Sequence, residues 1–293
     1  LKFLSAILLT IHILLTATAQ DTTTINKKKL FPLLVATNGI YAGGLIYVSK
    51  IWYSKNDQTD FHFFNDLPEW KQMDKAGHSL TSFHESVVIS EVFRWAGVSR
   101  KKSAVFGALA GFLYQAPIEI LDGYGKSYGA SVPDLVANLS GSAFYAGQQL
   151  IWDENRIYPK ISFHQTRYPQ FRPALLGKNL KEQILKDYNG QTYWLSFNIA
   201  SFLRNKPEHF PEFINLSFGY GAEAMVYGRD KENKMNGFFP YRQYYLSLDI
   251  DLRNLKTKSK LLKILTYPLN IIHIPFPAVE FNKNGVIFHP IYF

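Results

Sequence analysis

The sequence predicts an α+β protein: an N-terminal bundle of about four apolar helices followed by an antiparallel, outer-membrane-type β-sheet or partial barrel. Three observations carry this. Up to about Glu154 the apolar residues recur at a helical period near 3.6. Beyond that point they alternate with polar residues at a period of two. The alternating segments are also long enough to line a wall with lipid on one side and polar groups on the other. The expected organisation is a leader over 1–19, a helical domain over 20–154 and a strand-rich domain over 155–293.

The leader is read from Lys2, the apolar run Phe3 to Leu15, and Ala17-Thr18-Ala19, a small-x-small pattern that places the mature start at Gln20. The apolar run is too short for a membrane-spanning helix. A polar lead-in follows to Lys29. Leu30 to Ser49 then carries no charge and contains Gly39, Gly43 and Gly44, so it either spans a bilayer or packs as a glycine-notched helix. The second helix is expected from about Asp66 to Trp95, with Asp66 and Glu69 as a D-x-x-E cap. The third runs from about Ser103 to Leu121, with small residues at Gly107, Ala108, Ala110 and Gly111 and a kink or stop at Pro117. The fourth opens on the capping sequence Ser131-Val132-Pro133-Asp134 and continues to about Trp152.

Strands are read at Tyr193 to Ile199, Leu216 to Val226 and Tyr244 to Leu252, with an aromatic C-terminal segment ending in Phe293 that resembles the last strand of outer-membrane proteins. About four strands cannot close a barrel. Three arrangements stay open: a helix-covered sheet docked at or in the outer membrane, a barrel completed by further strands, and an ordinary soluble sheet. Leu255 to Leu265, with Lys256, Lys258, Lys260 and Lys263, suits either a lipid surface or a solvated face.

Composition narrows the function classes. In 293 residues, 47% hydrophobic and 16% aromatic against 19% charged excludes a disordered chain. A mean hydropathy of -0.11 excludes a polytopic transporter of long apolar spans. The net charge of +9 suits membrane lipid or lipopolysaccharide headgroups. With no aromatic RNA-binding signature, zinc finger or arginine-dense helix, no nucleic-acid partner is expected. The absence of Cys excludes a disulfide, a thiolate metal site and an acylated lipoprotein cysteine in this sequence.

Chemistry concentrates in the helices. Asp74 and His78 lie one turn apart on the second helix, beside Lys75, and Ser82 and Glu85 continue that side. Glu119 and Asp122 follow Pro117 on the third, and Asp134 and Asn138 share a face of the fourth with Gly141 and Tyr145. Ionisable groups amid apolar helices are costly unless they meet, so these are expected to converge. The candidate catalytic set is His78, Glu119 and Asp122, with His78 as base and a carboxylate as acid. The candidate ligand-binding set is Asp74, Lys75, Ser82, Asp134 and Asn138. A convergent His78, Glu119, Asp122 and Asp134 set could also hold a divalent cation through one imidazole and several carboxylates. Each also has a structural reading: Asp134 as a helix cap, Asp74 and Lys75 as an exposed pair, Glu119 and Asp122 in a solvated loop, and Asn138 as a helix-to-helix hydrogen bond.

Trp70, Asp74-Lys75-Ala76-Gly77-His78, Glu119, Asp122-Gly123, Asp134, Asn138 and Gly141 together resemble the YfiM-type predicted periplasmic lipoprotein family. Their order on successive apolar helices is also similar to the VanZ-like membrane proteins. The resemblance covers roughly Leu30 to Trp152. The tail, with Tyr241-Arg242-Gln243, looks like that of longer Bacteroidetes-type members. The resemblance implies an exported envelope protein at the outer membrane or its periplasmic face and supplies no reaction. Two functions are carried forward. One is a non-enzymatic outer-membrane-associated protein whose polar cluster packs helices or binds a headgroup or cation, alone or in an outer-membrane protein assembly. The other is a metal- or His-assisted hydrolase or transferase acting on envelope lipid or glycan.

Overall fold

The computed structural model describes residues 26–52, 58–254, 259 and 266–293. The leader and most of the lysine-rich stretch after Leu255 lie outside the described residues. Four long helices, α1 (Lys27–Trp52), α2 (Met73–Trp95), α3 (Arg100–Gly123) and α4 (Val132–Trp152), precede six strands. These are β1 (Ile157–Phe163), β2 (Gln191–Asn198), β3 (Ile214–Glu223), β4 (Tyr241–Ile250), β5 (Phe276–Asn282) and β6 (Gly285–Tyr292). The α+β class is as the sequence predicts. The chain divides into a helical unit, the described residues up to Leu67 with Lys75–Asn155, and a strand-rich unit, Pro68–Asp74 with Arg156–Phe293.

In the helical unit, helix ends follow local chemistry. The Ser131 hydroxyl accepts from the Asp134 amide at 3.1 Å and Pro133 sits in the first turn, so α4 starts where its capping sequence places it. The Asp66/Glu69 cap is corrected: α2 begins at Met73, after a short 3-10 turn in which Trp70, Lys71 and Gln72 all have positive φ. Pro117 does not end α3, which continues through it to Gly123. Glycines set how closely the helices approach. A Cβ on Gly111 of α3 would lie 2.1 Å from Ser86 Oγ, and one on Gly141 of α4 would lie 2.0 Å from the Ser79 carbonyl oxygen, both on α2. Leu30, Leu34, Ile89, Phe93, Ala110 and Tyr114 form an apolar core, and Tyr41 stacks on Tyr114 at 4.4 Å.

In the strand-rich unit the sheet is an antiparallel meander in the order β1-β2-β3-β4-β5-β6 and does not close into a barrel. The expected four strands are corrected to six. It is nonetheless strongly curled. Four strand spacings put β2 and β6 about 19 Å apart in a flat sheet, yet the Thr192 hydroxyl and Tyr292 Oη are 2.9 Å apart. Small inward residues permit this: Gly219 lies beneath Trp194, where a Cβ would sit 2.7 Å from the indole. The outer edge of β1 is engaged by the segment before β5, through Ile161 N to Ile271 O and His273 N to Ile161 O, each 2.9 Å.

Candidate functional site

The helical unit gathers one polar cluster. α2 supplies Lys75, His78 and Ser82, α3 supplies Gln115 and Glu119, and α4 supplies Asp134 and Asn138. Lys75 Nζ bridges two carboxylates, Asp66 Oδ2 at 2.7 Å and Asp134 Oδ1 at 2.6 Å. His78 Nδ1 lies 3.0 Å from Asn138 Oδ1, with Glu119 Oε1 at 3.9 Å on the same side and Asp134 Oδ1 at 3.7 Å from Nε2. Glu119 accepts the Ser131 amide at 3.1 Å, and the Ser131 hydroxyl donates to Asp66 at 2.6 Å. Three helices and the loop before α2 are thereby tied through charge-assisted hydrogen bonds.

The other sequence-read residues fall around this core. Ser82 donates its hydroxyl to the Asn138 carbonyl and is fully buried. Asp122 is half-buried near the end of α3. Asp74 belongs to the strand-rich unit, where Tyr188 Oη donates to it at 2.8 Å. Glu85, one turn beyond Ser82, accepts from Gln115 Nε2 at 2.6 Å. Burial pushes its carboxyl up to about 8, against the smaller opposing effects of that hydrogen bond and of His78. Glu85 is therefore largely protonated at neutral pH. Asn138 is wholly buried and its Nδ2 has no hydrogen-bond partner among the described residues, a costly state unless an acceptor reaches it. Two partners were not assigned from sequence. Gln115 is four residues before Glu119, a helical spacing that would have found it, and Asp66 was read as a cap.

Parts of both units turn apolar side chains outward and polar ones inward. On α4 the buried face is Asp134, Ala137, Asn138, Gly141, Ser142, Tyr145 and Gln148, while Val136, Leu139, Leu150 and Ile151 are exposed. α1 and α3 are long and apolar enough to cross a membrane. The sheet is inverted more completely. Ser196, Ser217, Ser247 and Asp249 point inward and are buried, and Lys160 Nζ pairs with Asp249 at 2.5 Å with neither side chain exposed. Trp194 fills the concave side, stacked on His273 at 3.9 Å. Outward, the pairing register lines Pro159, Leu195, Phe218, Leu246, Val279 and Phe288 into one row across all six strands. Phe218 is 48% exposed and Leu246 37%. The adjacent row runs Ile161, Tyr193, Tyr220, Tyr244, Phe281 and Val286.

Residues 60–147 match the model of a family described as predicted periplasmic lipoprotein (DUF2279). The match contains every residue of the polar cluster, so the resemblance to predicted periplasmic lipoproteins is borne out over that stretch, while the strand-rich unit lies largely beyond it. The family's description is consistent with an exported protein at the periplasmic face of the envelope. No curated protein and no solved structure matches the chain.

Proposed function

We propose that this is a non-enzymatic envelope protein seated in lipid at the outer membrane, its curled sheet laying an apolar outer face against acyl chains while the helical unit keeps a polar cluster inside. The observation that carries it is the inverted sheet. In water such a sheet would leave Leu195, Phe218, Tyr244, Leu246, Leu248 and Phe288 exposed while burying serines and an ion pair around Trp194 inside, against the hydrophobic driving force. In a bilayer both choices are favourable. The outward row on β4 from Tyr244 to Ile250 extends about 20 Å along the strand, comparable with the apolar band of outer-membrane barrels. The polar cluster then packs the helices or binds a headgroup or cation. Flotation of the purified full chain with phospholipid vesicles tests the reading: recovery in the lipid fraction after a high-salt and carbonate wash supports it, and recovery in the soluble fraction rejects it.

A second reading, a His-assisted hydrolase or transferase on envelope lipid or glycan, is favoured by the contact between His78 and Asn138, which orients the imidazole within one-water reach of Glu119 and Asp134. If His78→Gln keeps membrane partition and melting temperature but changes the lipid or glycan profile of the envelope, this reading stands. An unchanged profile ends it.

A further inference from the structure

Two residues before Tyr244 on β4, and therefore on the same outward face, stands Arg242. It pairs across the sheet with Ala222, just beyond the row in which Tyr193, Tyr220 and Tyr244 are cross-strand neighbours. Its guanidinium is exposed. Nε donates to Tyr220 Oη at 3.1 Å and one terminal nitrogen to Gln72 Oε1 at 2.5 Å. These contacts orient the group, neither of them is to a carboxylate, and they leave N–H donors of its five free. The nearby cations are engaged differently: Lys71 pairs with Asp230, Arg229 with Glu69, and Lys283 lies over the Tyr241 ring at 5.0 Å. Arg242 is thus a fixed, exposed cation at the boundary where the apolar face stops.

Building on the lipid-seated reading above, we propose that Arg242 takes the phosphate of a lipid headgroup and so sets the depth of the sheet in its leaflet. Two facts on this face select the ligand. Whatever covers Tyr244 and Leu246 must be apolar, and whatever reaches Arg242 about 7 Å further along the strand must offer oxygens to a planar fork of donors. A phospholipid does both within one molecule. Exposed Tyr244 lies where amphipathic rings settle, between acyl chains and headgroups, while Tyr220 beside it is half-buried and donates to the Lys71 carbonyl. The Tyr220 and Tyr244 rings, 5.7 Å apart, flank the approach.

The test is thermal unfolding of the full chain in dodecyl maltoside, titrated separately with a short-chain phosphatidylglycerol, with an alkyl glucoside of matched chain length, and with inorganic phosphate. Phosphatidylglycerol is expected to raise the wild-type melting temperature above the glucoside value, and phosphate alone to leave it unchanged. Arg242→Gln should lose at least about half of the phospholipid-specific shift, consistent with one lost charge-assisted contact, and Arg242→Lys should recover part of it. Both variants should retain the untitrated melting temperature and the glucoside response, because Arg242 is exposed. Equal phospholipid shifts in wild type and Arg242→Gln, an equal shift with free phosphate, or no wild-type shift overturn the assignment. Flotation of the same samples reports independently on lipid seating, so failure of the headgroup contact is distinguishable from failure of the membrane reading.

Discussion

At the scale of single residues, the polar cluster holds ionised groups that depend on one another. Lys75 sits between Asp66 and Asp134, with side-chain exposures of 13%, 17% and 4%. Removing one member leaves its partner's charge stranded away from water, so Asp134→Ala is expected to destabilise the helical unit by about 3 kcal/mol, with Lys75→Ala similar. A double-mutant cycle read by thermal or denaturant unfolding should show clear coupling; additive losses would mean that the pair contributes little. Glu85 makes a pH prediction. Its carboxyl titrates near 8 when folded and in the ordinary range when unfolded. Between those values the folded state holds the extra proton, so this group's stabilising contribution is complete at low pH and is lost as pH rises through about 8. Melting temperatures of the wild type should therefore fall from pH 5 to pH 8, and Glu85→Gln should flatten that slope. An identical slope in the variant would show that the carboxyl is ionised throughout. The convergence of His78, Glu119, Asp134 and Asn138 was legible from helical spacing and the cost of burying charge. The lodging of Ser82 on a backbone carbonyl was not, because its position on the shared face says nothing about where its hydroxyl points.

At the scale of elements, helix crossings and strand count separate what a one-dimensional pattern encodes. Close packing at Gly141 is predicted to be absolute: a Cβ there meets the Ser79 carbonyl oxygen at 2.0 Å. Gly147, six residues on along α4, has open space around it. Gly141→Ala should be strongly destabilising, by more than about 2 kcal/mol, whereas Gly147→Ala should be neutral or stabilising by up to about 1 kcal/mol from helix propensity. Comparable unfolding midpoints for the two variants would contradict the packing. β1 and β5 escaped the sequence reading for the same reason. Each carries a proline, Pro159 and Pro277, and a charged inward residue, Lys160 and Glu280, that break the expected alternation of strand-forming types. Their partners are mostly read only in three dimensions: Lys160 pairs with Asp249, and Glu280 accepts from Gln243 and Asn282 and contacts His289. α3 likewise runs through Pro117, against the local preference of proline for helix ends.

At the scale of the whole molecule, the helical unit keeps an apolar core beside its polar cluster, while the sheet places serines and an ion pair around Trp194 on its inner side and turns Leu, Phe and Tyr side chains such as Leu195, Phe218, Tyr244, Leu246 and Leu248 outward. That outward apolar face of the sheet, more than any single residue, supports a lipid-seated envelope protein. It was visible in the sequence as alternation, but alternation alone does not say which face is buried, and only the placement of Ser196, Ser217 and Asp249 inside the curl decides it. Because the chain contains no cysteine, single-cysteine nitroxide labels along β4 test the central claim directly in reconstituted vesicles. Labels at Tyr244, Leu246 and Leu248 should be accessible to oxygen and shielded from a water-soluble nickel chelate, with Ser247 shielded from both. Ready access of the chelate to 246 and 248 would place that face in water and contradict the proposal.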